Sequence, residues 1–288
     1  MFIYALMLFY LSKFVNKSKE DKVKIQKVSN KPLILVTNDD GIVSPGMKAL
    51  VEVMKELGDV VVVAPDRPQS GMGHAITINS TLRINKSKYH NVKEEYSCSG
   101  TPVDCVKIAL NKILKRKPDL CVSGINHGSN VSISVIYSGT MSAAVEGAIE
   151  SIPAIGFSLC DYSIDADFSA AKAVAKEVAQ NVLKNGLMAN TCLNVNIPPL
   201  HLNELKGIKI CRQARANWIE ELDERKDPSG NSYYWLTGKF QNFESGSNDT
   251  DVWALDNGYV SVVPVQFDMT AHQAIKNLTT WNLSIQNK

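Results

Sequence analysis

Short, continuous apolar runs most strongly constrain how this chain can fold. Residues 33–37 read LILVT and residues 60–64 read VVVVA, without the alternation of apolar and polar residues that marks a strand with one face in water. A strand that helices cover on both faces is apolar throughout. The two runs therefore predict a parallel sheet that lies between layers of helices.

Segments with helical spacing separate these runs. Residues 45–57 carry apolar residues at intervals of three and four, and Ser44 before Pro45 is typical of a capped helix start. Because strands and helices alternate, we expect a doubly wound α/β fold with a mostly parallel sheet over residues 33–200. Strands are predicted at 33–37, 59–64, 120–123, 153–158 and 191–197, and helices at 45–57, 102–114, 140–149 and 168–185.

The two ends of the chain differ from this central part. Residues 1–11, MFIYALMLFYL, are apolar but shorter than the ~20 residues that span a bilayer, and a stretch rich in lysine and asparagine follows them. We expect residues 1–31 to be an extension outside the core and residues 32–288 to be a single α/β domain. Within this domain, residues 207–288 are expected to form a β-rich lobe with a helical tail that serves oligomer contacts.

Charge and cysteine content argue against several classes of protein. The chain has 31 basic and 29 acidic residues, so no field of one sign indicates a nucleic acid or a membrane as its partner. Its six cysteines are scattered without a CxxC pair, several of them in apolar runs where a free thiol behaves as a small hydrophobic group. These features predict a protein of a reducing compartment, the cytoplasm.

Polar, glycine-rich segments follow three of the predicted strands. The first segment is NDDG at residues 38–41. Ligands of an open α/β sheet bind at the carboxyl ends of its strands, so we expect all three segments to meet at one edge. The other two segments contribute Asp66, Arg67, Ser70 and His74 after the second strand, and Asn126, His127, Asn130, Ser138 and Thr140 after the third.

The adjacent carboxylates Asp39 and Asp40 repel each other unless a proton or a cation lies between them. Grouped with serine and asparagine oxygens, they form a hard donor set that suits Mg²⁺, Mn²⁺ or Ca²⁺ rather than zinc or copper. For the DDG motif alone, a turn that caps the next helix is the structural alternative. The convergence of three polar segments favours a divalent cation.

A second part of the site is a candidate phosphate cradle. Ser138, Gly139 and Thr140 lead into a helix of small residues, whose free amides and dipole would attract an anion. The alternative is that Ser138 or Thr140 only caps this helix. His74 and His127 are candidates for proton transfer, although a histidine in a loop is more often one whose hydrogen bonds are simply satisfied.

A divalent cation next to an anion site predicts the hydrolysis of a phosphate ester. The cation would bind a phosphoryl oxygen and acidify a water, and one carboxylate could orient that water. The chain has no Walker A lysine motif, no GxSxG nucleophile and no GxGxxG fingerprint. ATP-driven transfer, acyl chemistry and hydride transfer are therefore disfavoured.

Five colinear blocks, covering about residues 32–275, resemble the SurE family, the survival protein E nucleotidases. The resemblance implies a Rossmann-like core and a divalent-metal-dependent phosphatase that acts on nucleoside 5′- or 3′-monophosphates. It also implies a homodimer or homotetramer formed through C-terminal elements. The blocks read LILVTNDDGIVSPGMKAL, VVVVAPDRPQSGMGHAIT, CSGTPVDCVKIAL, PDLCVSGINHGSNVSISVIYSGTMSAAVEGA and GYVSVVPVQFDMTA.

The resemblance also implies the roles of individual residues. One divalent cation per subunit, Mg²⁺ or Mn²⁺, would be held by Asp39, Asp40, Ser70 and Asn126. Asp39 is in addition the predicted catalytic carboxylate. The predicted substrate-binding residues are Asn130, Ser138, Gly139 and Thr140.

Two other functions stay open at this point. A non-catalytic, stress-regulatory module could use the same cation and cradle to hold a nucleotide, and a phosphatase could act on polyphosphate or sugar phosphates instead. Side chains of the β-rich lobe near Arg212, Arg215 and Trp218 are candidates for setting the base preference.

Overall fold

In the part of the chain that the structure describes, nine strands form one central sheet and two further strands form a separate hairpin. The computed structural model describes residues 31–163 and 165–285, so the predictions for residues 1–30 lie outside the described residues. The strands are β1 (Leu33–Thr37), β2 (Asp59–Pro65), β3 (Ile84–Lys86), β4 (Glu94–Cys98), β5 (Leu120–His127), β6 (Ala154–Leu159), β7 (Thr191–Ile197), β8 (Ile208–Ile210), β9 (Ala216–Lys226), β10 (Ser232–Asn242) and β11 (Val260–Gln266). The helices are α1 (Pro45–Leu57), α2 (Pro102–Ile108), α3 (Gly139–Ile149), α4 (Ser169–Asn185), α5 (Asp251–Asp256) and α6 (His272–Thr279), with a π-helical turn at Ala109–Ile113 and a 3-10 helix at Ser132–Ile136.

The central sheet has the strand order β3-β4-β2-β1-β5-β6-β7-β11-β8. From β1 the chain builds outwards through β2 and β4, and it then returns to build the other half through β5, β6 and β7, all in parallel pairing. This order confirms the predicted Rossmann-like, doubly wound α/β fold. The building direction reverses between β1 and β5, and the crevice at their carboxyl ends is where such sheets bind ligands.

The apolar runs are buried on both faces, as the sequence predicts. Ile34 and Val36 of β1 pack in one cluster with residues of α1 and α4, whereas Leu35 packs in a second cluster with residues of α2 and α3. All three side chains are 0% exposed. Each contributes roughly 1.5–3 kcal/mol through burial, which explains why this strand forms the middle of the sheet.

Several elements differ from their predicted bounds. Strand β5 extends to His127, so Asn126 and His127 lie at the end of a strand and not in a loop. The α-helix that starts at Pro102 ends at Ile108 and continues as a π-helical turn. The sequence patterns do not predict β3 and β4, because the short segments INK and EEYSC mix polar and apolar residues near the edge of the sheet.

Residues 207–288 contribute both to the central sheet and to the separate hairpin. β11 pairs antiparallel with β7 and parallel with β8. Among the described strands, β9 and β10 pair only with each other. Helix α6 buries none of its residues. The predicted domain bounds and the predicted oligomerisation role of this lobe stay predictions.

All six cysteines are free thiols, and five of them are buried. Burial raises the pKa of Cys121 and Cys192 to about 12, so both stay protonated at neutral pH. These thiols act as packing groups. Within the described ranges, each helix is too short or too polar to cross a bilayer.

Candidate active site

The NDDG turn places two adjacent carboxylates at the carboxyl end of β1. Asn38 fixes this turn, since its Nδ2 donates to the carbonyl oxygen of Gly41 at 2.9 Å and to Oγ of Ser44 at 2.8 Å. Oγ of Ser44 also accepts from the amide of Met47 at 3.3 Å, which confirms the predicted cap of α1. Asn38 thus ties the carboxylate pair to the start of α1, a role that the sequence analysis missed.

Backbone hydrogen bonds bring the polar segments together. The amide of Gln69 donates to the carbonyl oxygen of Asp39 at 2.7 Å, which brings the segment after β2 against the turn. The amide of His127 donates to Oδ2 of Asp40 at 3.2 Å, which brings the end of β5 to the other side. The predicted convergence at one edge of the sheet is therefore observed.

Asp39 lies against the start of α3. Oγ1 of Thr140 donates a hydrogen bond to Oδ1 of Asp39, and both residues are buried. Gly139 approaches so closely that a β-carbon there would lie 2.7 Å from the Cβ of Asp39, which leaves room only for glycine. The positive end of the α3 dipole also favours a negative charge at this place.

Burial sets the electrostatics of the carboxylate pair. It raises the pKa of Asp39 to about 6; the hydrogen bond from Thr140 opposes this rise, and the charge of Asp40 adds to it. Burial likewise raises the pKa of Asp40, against the hydrogen bond from the His127 amide. In the described part of the chain neither carboxylate has an ion-pair partner.

A divalent cation would reverse both pKa shifts, since a nearby positive charge favours the ionised carboxylate. The remaining donors are also oxygens. Nδ2 of Asn126 donates to the carbonyl oxygens of His127 and Gly128 at 3.2 and 2.8 Å. The amide orientation is assigned from these bonds, and it leaves Oδ1 available to bind a cation. Ser70 is exposed and follows Gln69 directly. These residues fit a hard divalent cation.

Among the described residues, no group of three or more His, Cys, Asp or Glu side chains is placed to hold a metal. A cation at this edge would therefore depend on serine and asparagine oxygens in addition to the two carboxylates. Such a set, with few charged ligands, suits an ion that retains several waters, as Mg²⁺ does.

The Ser138-Gly139-Thr140 segment caps α3. Oγ of Ser138 accepts from the amide of Met141 at 3.0 Å, and its carbonyl oxygen accepts from the amide of Ser142 at 3.0 Å. The hydroxyl of Thr140 is already bonded to Asp39. The structural alternative is thus observed for Ser138, while the role of the three residues in phosphate binding stays a prediction.

Asn130 belongs to a buried network of amides. Its backbone amide donates to Oδ1 of Asn196 at 2.7 Å, its Nδ2 donates to Oγ of Ser158 at 2.8 Å, and its carbonyl oxygen accepts from Nδ2 of Asn194 at 2.7 Å. These bonds hold the segment after β5 onto β6 and β7. Asn130 therefore positions the segment that follows Asn126, and its predicted contact with substrate stays a prediction.

His74 is held by a buried carboxylate. Its Nε2 lies 2.9 Å from Oε2 of Glu146, and Nζ of Lys107 bonds to Oε1 of the same residue. Burial raises the pKa of Glu146, but the two hydrogen bonds outweigh burial and hold this pKa below its ordinary value. The cluster anchors the segment after β2 to α2 and α3. A glutamate within a helix of small residues was the available sequence signal for it.

His127 lies beside Asp40 with its ring packed edge-on against Phe168, at 5.1 Å between ring centroids. Its Nε2 is buried and has no hydrogen-bond partner within the described ranges. The backbone amide of His127, and not its imidazole, makes the contact with the carboxylate pair.

Comparison with known proteins identifies the family to which this chain is similar. A family described as Survival protein SurE matches residues 34–220. The protein named 5'-nucleotidase SurE from Christiangramia forsetii is 67% identical over 259 residues, which cover 88% of this chain and 98% of that protein. The protein of the same name from Flavobacterium psychrophilum is 66% identical over 256 residues, covering 88% of this chain and 99% of that protein.

A solved structure shows the same fold. The crystal structure of the SurE protein from Aquifex aeolicus superposes with a TM-score of 0.77 at 40% sequence identity and covers 88% of this chain and 100% of that chain. The matched residues include the turn with both carboxylates and the start of α3. Relatives of this identity, matched over nearly their whole length, confirm that the chain is an enzyme. Motif blocks, strand order and relatives all agree, and the chain belongs to the SurE family.

Proposed function

We propose that the chain is a 5′-nucleotidase that hydrolyses nucleoside 5′- and 3′-monophosphates with one divalent cation, Mg²⁺ or Mn²⁺, per subunit. The class of enzyme, a nucleotidase, follows from the similarity to the two proteins named 5'-nucleotidase SurE. One observation carries the metal dependence: Asp39 and Asp40 lie side by side, largely buried, where the building direction of the sheet reverses, and no ion-pair partner is present among the described residues.

The residues proposed to hold the cation are Asp39, Asp40, Ser70 and Asn126. When bound, the cation would supply positive charge to a phosphoryl oxygen and lower the pKa of a water. Thr140 keeps Asp39 in place through its hydroxyl, and the amide of His127 keeps Asp40 in place. Asp39 would accept a hydrogen bond from the attacking water and so orient it toward phosphorus.

The start of α3 is proposed to receive the phosphate. A helix amino end offers free amides and a positive dipole, and the start of α3 lies against Asp39. Asn130 supports this arrangement by holding the neighbouring segment to the sheet.

Phosphate release tests the proposal. Wild type and Asp39→Asn are each incubated with one of four esters in the presence of EDTA, Mg²⁺ or Mn²⁺. The esters are AMP, 3′-AMP, GMP and a generic aryl phosphate. We expect release that needs the cation and collapses in Asp39→Asn while circular dichroism is unchanged. Asp59→Asn is the matched control, because Asp59 is exposed at the amino end of β2, the opposite edge of the sheet. This control should retain wild-type activity.

Other outcomes would contradict the proposal in different ways. Release that persists in EDTA would remove the metal from the mechanism. Release from polyphosphate or sugar phosphates, but from no nucleotide, would change the substrate class. A folded protein that binds nucleotide and releases no phosphate with either metal would be a binding module.

We further propose a homodimer or homotetramer in the cytoplasm. Supporting the assembly, α6 buries none of its residues, and the apolar side chains of Leu278 and Trp281 are 46% and 65% exposed. Large exposed apolar groups on neighbouring residues mark interaction surfaces. The free cysteines support a reducing compartment. Light scattering on the purified chain, compared with Trp281→Lys, measures the oligomeric state, and a monomer in both would contradict the assembly.

A further inference from the structure

A cavity of about 540 Å³ lies between the β9–β10 hairpin and two of the segments that surround Asp39. This volume is in the range of pockets that bind small molecules. The residues that line the cavity include Gly71, Tyr137, Trp218, Glu220, Leu236 and Gly238.

Two short stretches of backbone connect the cavity to the carboxylate pair. Gly71 follows two residues after Gln69, whose amide donates to the carbonyl oxygen of Asp39 at 2.7 Å. Tyr137 comes two residues before Gly139, which lies against the side chain of Asp39. Because two residues span at most about 7 Å, a single small molecule can reach from the carboxylate pair into the cavity.

Hydrogen bonds hold the hairpin wall of the cavity in place. Oγ of Ser132 donates to the carbonyl oxygens of Ala214 and Ala216 at 2.8 and 3.0 Å, which fixes the base of β9 to the 3-10 helix. Nε1 of Trp218 donates to Oγ of Ser134 at 3.4 Å, and its ring packs edge-on against Phe240. Trp218 is nevertheless 40% exposed. Its ring is therefore fixed by these contacts and still accessible to a ligand.

The chemistry of the lining selects the ligand. Trp218, Tyr137 and Leu236 provide apolar surface. Among the described residues that line the cavity, the carboxylate of Glu220 is the only ionisable group besides the tyrosine hydroxyl. A carboxylate repels phosphate and accepts hydrogen bonds from N–H groups. The cavity therefore suits a flat, uncharged ring with N–H donors, and a phosphate would be disfavoured there.

Arg212, one of the two arginines that the sequence suggests for base preference, is already engaged in ion pairs. Arg212 donates through its guanidinium to Glu244 and Asp249 at 2.7 and 2.8 Å. Of the three residues that the sequence suggests for base preference, Trp218 is the one that lines the cavity.

We propose that this cavity binds the base of the nucleotide, with Trp218 and Tyr137 as its apolar walls and Glu220 as the acceptor for N–H groups of the base. Guanine is the favoured base, because it presents two adjacent N–H donors that a carboxylate can accept together. The inference rests on the proposed nucleotidase function, since the phosphate of the same molecule would lie at the carboxylate pair.

Esters with and without a base test the inference. GMP, AMP and ribose 5-phosphate are compared on wild type, Trp218→Ala and Glu220→Gln. We expect Trp218→Ala to raise KM for GMP about ten-fold at similar kcat, because stacking on one aromatic side chain contributes about that factor. Its effect on ribose 5-phosphate, which lacks a base, should stay below about two-fold. Glu220→Gln should lower the preference for GMP over AMP.

Trp235→Ala is the matched control. Trp235 is 59% exposed on β10, and as the neighbour of Leu236 it points to the opposite face of the hairpin. This variant should leave KM for GMP unchanged. Equal kcat/KM for GMP and ribose 5-phosphate, or equal effects of Trp218→Ala and Trp235→Ala, would overturn the base site and leave the phosphatase activity standing.

Calorimetry with guanosine separates the base site from catalysis. Guanosine carries the base without a phosphate, so its binding does not require hydrolysis. Binding that Trp218→Ala and Glu220→Gln weaken, in a chain that releases no phosphate from any ester, would support the base site and contradict the proposed function. Guanosine binding that both variants leave unchanged would overturn the base site.

Discussion

Gly139 lies so close to Asp39 that a β-carbon at residue 139 would come within 2.7 Å of the Asp39 Cβ and 3.0 Å of its Oδ2. The two residues are a hundred positions apart in the chain, yet the side chain of Asp39 packs against the start of α3. The backbone at the start of α3 therefore helps to set the position of Asp39. Small changes in this backbone should change the rate of the reaction.

Gly139→Ala is expected to displace Asp39 and to lower kcat/KM for a nucleoside monophosphate by roughly 100-fold, since a misplacement of about 1 Å can cost that much. Steady-state kinetics measures the loss, and circular dichroism checks the fold. Gly246→Ala is the control, because a β-carbon at Gly246 would have no atom of the described residues within 4 Å. Equal activity of both variants would show that Asp39 does not depend on this contact.

Thr140→Val removes the hydroxyl that donates to Oδ1 of Asp39 and preserves the shape of the side chain. A buried carboxylate oxygen without its donor costs about 1–3 kcal/mol, so we expect a loss of roughly 5- to 150-fold in kcat/KM. Thr140→Ser keeps a hydroxyl and should retain most of the activity. Full activity of Thr140→Val would contradict the role of this hydrogen bond, and a serine variant as poor as valine would show that the hydroxyl alone is not sufficient.

Glu146→Gln is expected to reduce stability at neutral pH and to change its pH dependence. The folded-state pKa of Glu146 is below its ordinary value, so the ionised group stabilises the fold above that ordinary pKa, near 4.3. This contribution is lost as the pH falls through the lower, folded-state pKa. Wild type and variant should differ by about 1–2 kcal/mol at pH 7, because solvent screens the partly exposed partners His74 and Lys107. The difference should shrink as the pH falls and Glu146 becomes protonated in the folded chain.

Urea unfolding at pH 7, 5, 4 and 3.5 measures this decrease. Glu56→Gln is the control, since Glu56 is 56% exposed in its pair with Lys176 and a surface pair contributes at most about 1 kcal/mol. A constant difference between wild type and Glu146→Gln at every pH would mean that the charge of Glu146 plays no part in stability.

Asn196→Ala is expected to lower the free energy of unfolding by about 2–4 kcal/mol, since it leaves the amide of Asn130 and Oδ1 of Asn194 without partners in the core. Chemical denaturation measures the change. Asn277→Ala, on the exposed helix α6, should stay within about 0.5 kcal/mol of wild type.

A second variant tests whether the amides act as one network. Asn194→Ala combined with Asn196→Ala should cost less than the sum of the two single variants, because each single change already breaks the bond from Nδ2 of Asn196 to Oδ1 of Asn194. Strict additivity would mean that the two amides stabilise the fold independently.

The sequence alone predicts the central part of the fold and the type of site. LILVT and VVVVA are long enough and apolar enough to predict strands buried on both faces, and the structure confirms them. The NDDG turn predicts a carboxylate pair at the end of a strand because this chemistry is local, contained in four consecutive residues. Strand β4 escapes prediction, since EEYSC carries no clear periodicity.

What the tertiary structure decides are contacts between residues that are distant in the chain. It places Gly139 and Thr140 against Asp39. It also includes Asn130 in a buried amide network and pairs His74 with Glu146. Periodicity and motif chemistry act over a few neighbouring residues, and so a sequence shows them directly. Which distant side chains meet depends on strand order and on how helices pack across the sheet, and these follow from the burial of the whole core at once.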